Sequence, residues 1–173
     1  VQDPTGEEIP ENGSTSVPNE VPLQEIILLE ESAVTMEQNG GTTEYDSVSA
    51  AIDATQAYNK DTNKGLYTIT LNENLAEDVV IPEGRYIKID LNGHTLNGGT
   101  GTAKAAILNK GNVTITDTSA GKTGTIKRDD QGAQGEISYY VIDNNGTMVI
   151  DQANVINNSG SKGSSLTVSY THL

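Results

Sequence analysis

From Gly65 onward, apolar and polar residues alternate with a period of two, the pattern of half-buried strands. In Leu66–Leu71 (LYTITL), Tyr67, Ile69 and Leu71 fall on one face, and Leu66, Thr68 and Thr70 on the other. Val79–Ile81 follows and is closed by Pro82-Glu83-Gly84. Residues 86–91 (YIKIDL) place Ile87, Ile89 and Leu91 on one face and end at Asn92-Gly93. The short runs HTLNGG, AAIL, VTIT, GTIK, YYVI, TMVI and ANVI then succeed one another, each punctuated by Asn, Gly or Asp, the residues of tight turns. Before Gly65 the period changes. Tyr45, Val48, Ile52 and Thr55 recur at helical spacing with Ala51 beside them, and Ser47 stands where an N-cap belongs. This predicts an amphipathic helix over 45–58, with Ser49, Asp53 and Gln56 on its polar face. Its apolar face must cover something. Residues 33–36 predict a strand ended by Asn39-Gly40-Gly41, and residues 26–29 a short strand or helix turn.

The strands repeat. Ala106-Ile107-Leu108-Asn109-Lys110-Gly111-Asn112-Val113-Thr114-Ile115 aligns with Val141-Ile142-Asp143-Asn144-Asn145-Gly146-Thr147-Met148-Val149-Ile150 at an offset of 142 − 107 = 35. Ile87 and Ile89 align with Val113 and Ile115 at 113 − 87 = 26. Irregular periods of this size fit a solenoid whose loops vary in length, with 122–136 as the looped-out excess. Because the repeats contain strands only, the expected solenoid is a β-helix. Coils would stack at about 4.8 Å, with equivalent aliphatics in columns.

Composition sharpens this reading. The 173 residues carry 24 acidic and 10 basic side chains, a formal charge of −14. No basic stripe exists to track a nucleic-acid backbone or an anionic membrane. Cys, Phe and Trp are absent, so there are no disulfides or thiolate metal sites, and Ile, Val and Leu must fill the core. No apolar run approaches the roughly 20 residues of a membrane span. Residues 1–25 hold four of the five prolines among Glu, Asn, Ser, Thr and Gly, a composition expected of a disordered acidic linker. The chain opens on Val1 with no signal-peptide pattern, as expected of a processed secreted chain or of one whose start lies upstream.

Tyr45, Ser47, Val48, Ala51 and Ile52, the motif Asp90-Leu91-Asn92-Gly93-His94-Thr95-Leu96, and Val113-Thr114-Ile115-Thr116-Asp117 followed by Gly124-Thr125-Ile126 carry a resemblance. Over about residues 33–163 the chain resembles the large secreted or wall-attached, pectate-lyase-like β-helix proteins of Gram-positive gut bacteria. The resemblance implies an all-β solenoid: a right-handed parallel β-helix with an N-terminal capping α-helix, incomplete at its C-terminus. It implies an extracellular or cell-wall location and leaves activity open, since such coils serve both adhesins and enzyme scaffolds. A cap agrees with physics, because an open solenoid end exposes core and strand edges. The expected organisation is a linker at 1–25, a strand and capping helix at 26–65, coils at 66–167 and a non-native tail at 168–173. SYTHL there resembles a translated sequencing-adaptor remnant, and it includes His172.

Each candidate for chemistry has a structural competitor. His94 lies four residues from Asp90 but reads as part of a coil turn. Residues 116–123 end like a phosphate-binding loop, but Thr116 stands in place of the first glycine, and strand rather than helix follows. Residues 98–103 resemble a calcium-binding nonapeptide with Ala103 in place of the aspartate ligand. Asp117, Asp129, Asp130, Asp143 and Asp151 would line a calcium-assisted lyase groove, with Lys127 or Arg128 to abstract a proton, but Asp is also a turn residue. Asn109 and Asn144 occupy equivalent turns and predict a stacked amide ladder. The pairs Thr68/Thr70, Thr114/Thr116 and Thr123/Thr125 resemble ice-binding triplets, yet they are scattered, as β propensity alone would leave them. The sequence therefore assigns no catalytic, cofactor-binding or metal-ligating residue. The function expected is a non-catalytic surface scaffold or adhesion segment contacting extracellular polysaccharide or a host surface protein, without nucleic acid or membrane insertion. The alternative is the N-terminal part of a polysaccharide lyase or glycoside hydrolase whose active coils lie beyond this chain.

Overall fold

Most alternating runs form strands that bury their aliphatic face and leave the polar face outside. In a computed structural model, residues 31–99, 105–129 and 140–159 are described, with the backbone of 165–169. They belong to the unit Glu31–Leu173. The expectations for 1–25, 26–29 and 170–173 lie outside the described residues. The described chain is mostly β.

It begins with β1 (Val34–Gln38), β2 (Gly41–Tyr45) and α1 (Val48–Asp53). Then come β3 (Leu66–Leu71), β4 (Leu75–Ala76), β5 (Val79–Ile81), β6 (Tyr86–Asp90), β7 (Thr95–Asn97) and β8 (Ala105–Asn109). β9 (Asn112–Thr116), β10 (Thr125–Arg128), β11 (Tyr140–Asn144), β12 (Thr147–Ile150), β13 (Asn154–Asn157) and β14 (Ser165–Ser169) complete it.

From β3 to β14 the strands fall into three sheets in strict rotation. The first sheet has the order β12-β9-β6-β3-β1-β2, the second β13-β10-β7-β4 and the third β14-β11-β8-β5. All pairings among β3–β14 are parallel; only β1 pairs antiparallel, with β2 and β3. This arrangement is compatible with a β-solenoid.

The register reproduces the sequence offsets. Ile107 pairs with Ile142, Val113 with Met148 and Ile115 with Ile150, while Ile87 and Ile89 pair with Val113 and Ile115. Inward residues form columns: Ile69, Ile89 and Ile115 in the first sheet, Leu75, Leu96 and Ile126 in the second, and Val79, Ile107 and Ile142 in the third. Eight of these nine are buried, and Leu75 packs half-buried against them. Ile150 continues the first column, yet it is 40% exposed where Ile89 and Ile115 are 0%, because β12 is the edge of its sheet.

Two expectations need correction. The helix spans Val48–Asp53 rather than 45–58. Tyr45 instead pairs with Val34 across the β1–β2 hairpin. At the other end the Thr55 hydroxyl donates to the Ile52 carbonyl at 2.6 Å, the Tyr67 hydroxyl accepts the Gln56 N–H, and Tyr58 N–H donates to Gly84 O. Contacts with the coils thus draw the chain out of the helix. Second, 122–136 is not one excursion, because Thr125–Arg128 is a strand paired in register with β7 and β13. The extra length of this coil sits before and after it. Val168 and Ser169 lie in β14 opposite Asp143 and Asn144. Ser47 is the helix cap, as expected, and accepts the Ala50 N–H at 3.0 Å.

Replacing Ile115 by Ala removes methyl groups flanked above and below by isoleucines and should cost about 2–5 kcal/mol. Thr114→Ala, one residue away on the outer face, should change stability by less than about 0.5 kcal/mol. Urea melts of the two variants check the register. A larger loss for Thr114→Ala would invert every inward and outward assignment.

Candidate functional site

The polar residues divide into those that hold the turns and those that remain on outer faces. The turn group includes the buried carboxylates Asp90 and Asp117. Asp90 follows the buried Ile89 and is itself buried, accepting the N–H groups of Asn92 and Thr118 and the Thr118 hydroxyl. Asp117, 1% exposed, accepts Gly93 N–H (2.9 Å), Ser119 N–H (3.0 Å) and Gly124 N–H (2.6 Å). Gly124 is required there, since a Cβ would lie 2.7 Å from Leu91 Cβ. Burial pushes the Asp117 carboxyl up, but the Ser119 hydroxyl and the N–H groups of Gly124, Ser119 and Gly93 outweigh it and hold the group below the usual carboxylate range. The hydroxyl acts from beside the carboxylate without a well-formed hydrogen bond.

The amide ladder forms at the turn between the third and first sheets. Asn109 Nδ2 donates to Asn144 Oδ1 at 2.7 Å and to Thr147 O at 3.0 Å, and Asn109 Oδ1 accepts Gly111 N–H. Asn109 is wholly buried, so each of these bonds replaces one that water cannot supply.

The candidate lyase carboxylates do not converge. Asp117 and Asp151 follow first-sheet strands, Asp129 follows β10 of the second sheet, and Asp143 lies in β11 of the third. Asp130 lies outside the described residues. Among the described residues, no three His, Cys, Asp or Glu side chains gather so as to hold a metal ion. Lys127 pairs with Asp129 at 2.5 Å on the outer face of the second sheet, where Asn97 and Asn158 amides also reach Asp129. Lys127 first and Asn158 next hold the Asp129 carboxyl below its usual range against the effect of burial. Arg128 points the other way and is fully buried under Gly99, whose φ of +76° favours glycine. His94 enters the turn through its backbone, donating to Leu91 O and accepting from Thr125 N–H. Residues 116–123 lead into β10, not into a helix. Of 98–103, only Gly98 and Gly99 are described. Lys122 Nζ, inside the phosphate-loop-like segment, donates to Asp117 O.

The outer-face group is different. Residues of β3, β6, β9 and β12, mostly outward but with the strand positions of Tyr67, Ile87 and Val113 between them, line a groove of about 470 Å3 on the first sheet, with Glu37, Gln38 and Asn39 at one end. Its exposed apolar residues include Leu66, Tyr86 and Val149, which are 45%, 37% and 53% exposed. The Tyr86 ring is stacked on Tyr58 with centroids 4.3 Å apart, and Tyr58 is held by its N–H to Gly84 O and its hydroxyl to Asn63. Between these apolar groups lie Thr68, Lys88, Asn112 and Thr114. No hydrogen bond to a described residue engages those four side chains. Sequence reading missed this groove, although the alternation had already placed Leu66 and Thr68 outward.

No helix among the described residues is long and apolar enough to cross a membrane. No protein-family model matches the chain, and neither a curated protein nor a solved structure is significantly similar to it.

The lowered Asp117 pKa gives a pH test. The ionised carboxylate contributes stability that is complete above its unfolded value of about 3.9 and is lost as pH falls through the lower folded value. Asp117→Ala should cost about 1–3 kcal/mol at neutral pH, because buried N–H groups lose their acceptor. The gap between wild type and variant should narrow as pH drops below about 4. Urea melts across that range check it; a gap independent of pH would mean that Asp117 acts by packing alone.

Proposed function

We propose that this chain is part of a right-handed parallel β-helix and acts as a non-catalytic scaffold or adhesion segment of a secreted or wall-attached bacterial protein. One observation carries the reading: equivalent aliphatics and turn amides stack in register from coil to coil. Such a construction provides rigid, flat outer faces. The right hand follows from the near-universal handedness of parallel crossovers within one sheet.

In this proposal α1 is the N-terminal cap. It packs against β1, β2, β3 and β5, and its Val48 and Ser49 N–H groups donate to the Glu77 carboxylate at 2.8 and 3.0 Å. The partner is an extracellular polysaccharide or a host surface protein, met along an outer face. A second reading, a scaffold for polysaccharide cleavage, draws on the outward Lys127–Asp129 pair with Asn97 and Asn158. Against it, Lys127 is tied to the carboxylate that would have to act beside it.

The test is a product assay with the purified chain on neutral and acidic polysaccharides, with calcium and with chelator. No new reducing ends or unsaturated products are expected in either condition. Reproducible cleavage that Asp129→Ala or Asp130→Ala abolishes would overturn the non-catalytic reading.

A further inference from the structure

We propose that Asn39-Gly40, at the tip of the β1–β2 hairpin, is a self-modifying site: among the described residues it is the one Asn-Gly step open to deamidation through a succinimide. The proposal stands on the hairpin and does not depend on the surface-scaffold reading.

The backbone nitrogen after the asparagine must give up its proton, reach the side-chain carbonyl carbon and find room for a ring. The N–Cγ bond then forms and the Cγ–Nδ2 bond breaks. The departing amide nitrogen takes up a proton and leaves as ammonia. Water opens the succinimide at either carbonyl, giving aspartate or isoaspartate, so one water is consumed for each ammonia released. Glycine in the second position favours the attack because it places no Cβ beside the nitrogen.

The chain has five Asn-Gly steps, of which Asn12-Gly13 lies outside the described residues. Three of the others are guarded. Gly93 N–H donates to Asp117 Oδ1 at 2.9 Å, and the Asn92 amide donates to Leu71 O. Gly98 N–H donates to Lys127 O at 3.0 Å, while both ends of the Asn97 amide are bonded to Asp129. Gly146 N–H donates to Asn144 Oδ1 at 3.4 Å, and the Asn145 amide donates to Asp143. In each case the attacking nitrogen is engaged and the asparagine side chain is held elsewhere. Crowding adds to this: a Cβ on Gly93, Gly98 or Gly146 would lie 3.2, 2.4 or 2.1 Å from its nearest neighbour.

Asn39-Gly40 has none of these restraints. Both residues are exposed, and neither the Asn39 side chain nor the Gly40 N–H makes a hydrogen bond within the described fold. Nothing lies within 4 Å of the place a Gly40 Cβ would take. The φ angles of 53° and 81° mark a two-residue turn between the paired Gln38 and Gly41. Isoaspartate there inserts a methylene into the main chain of a loop that has no slack. The only strand partner of β2 is β1, so β2 is the strand released, while β1 stays paired with β3.

The experiment incubates the full chain in mildly alkaline buffer, with and without urea, and follows each step by peptide mass spectrometry. Cleavage after Glu37 and Glu44 releases residues 38–44, which contain this step alone. In the folded chain position 39 should convert about tenfold faster than 92, 97 or 145, the scale on which one hydrogen bond acts on a rate. In urea the four rates should converge, since all share the Asn-Gly pair. Equal rates in the folded chain, a faster conversion at 92, 97 or 145, or an unchanged ranking in urea would each overturn the proposal. Asn39→Gly, which suits the φ of 53°, should abolish conversion in 38–44 and leave the melting temperature unchanged. Conversion that persists would belong to Gln38 and overturn the assignment. Amide exchange should rise in 41–45 of the isoaspartate form, whereas Asn39→Asp, which adds the charge without the methylene, should keep its protection. Protection kept in both, or lost in both, would overturn the release of β2.

Discussion

Everything in this fold depends on parallel strands stacking in register, so that each coil presents an aliphatic side chain where the coil before it did. Ile69, Ile89 and Ile115 illustrate the constraint, as do Val79, Ile107 and Ile142. Close packing of β-branched side chains fills a narrow interior without Phe or Trp. A slip of one residue in any strand would turn its apolar set outward and its polar set inward. The columns therefore fix the register more firmly than hydrogen bonds could, since the backbone ladder alone accepts several registers.

The turns solve a second problem that stacking creates. Corners bring backbone N–H groups into the interior, away from water, where an unpaired donor is costly. Asn109 and Asn144 meet this by bonding along the stack as well as to their own turns. Asp90 and Asp117 meet it by gathering N–H groups from successive coils around one carboxylate. These residues belong to the types that catalytic sites use, but here their lone pairs are engaged by the chain itself.

Interiors and corners so constrained leave the outward positions free to vary. On the second sheet Lys127 and Asp129 neutralise one another at a partly exposed site, where an ion pair adds little stability. On the first sheet the side chains of Thr68, Lys88, Asn112 and Thr114 make no hydrogen bond within the described fold, and the Tyr58–Tyr86 stack lies beside them.

Local periodicity was enough to read which residues of each strand face inward, because the side-chain alternation of a strand is a property of a few neighbouring residues. The offsets of 26 and 35, the Asn109–Asn144 ladder and the Ser47 cap were legible for the same reason: each is a repeat or a contact within one turn. Other features came only from tertiary structure. The strand β2 (GTTEY) has no apolar alternation and exists because β1 offers it an edge. The helix stops at Asp53 because Tyr67 and Gly84, distant in sequence, take the next backbone donors. Its first N–H groups are satisfied by Glu77, which no local pattern marks as a cap. Arg128 sits in the interior because strand alternation placed it on the same face as Ile126, although its charge predicted the surface. The groove itself is made by Leu66, Tyr86, Asn112 and Thr147, which share one row of the sheet although they lie scattered along the chain. Face is encoded within a strand, whereas neighbourhood is decided by which strands pair, and that is settled only by the tertiary structure.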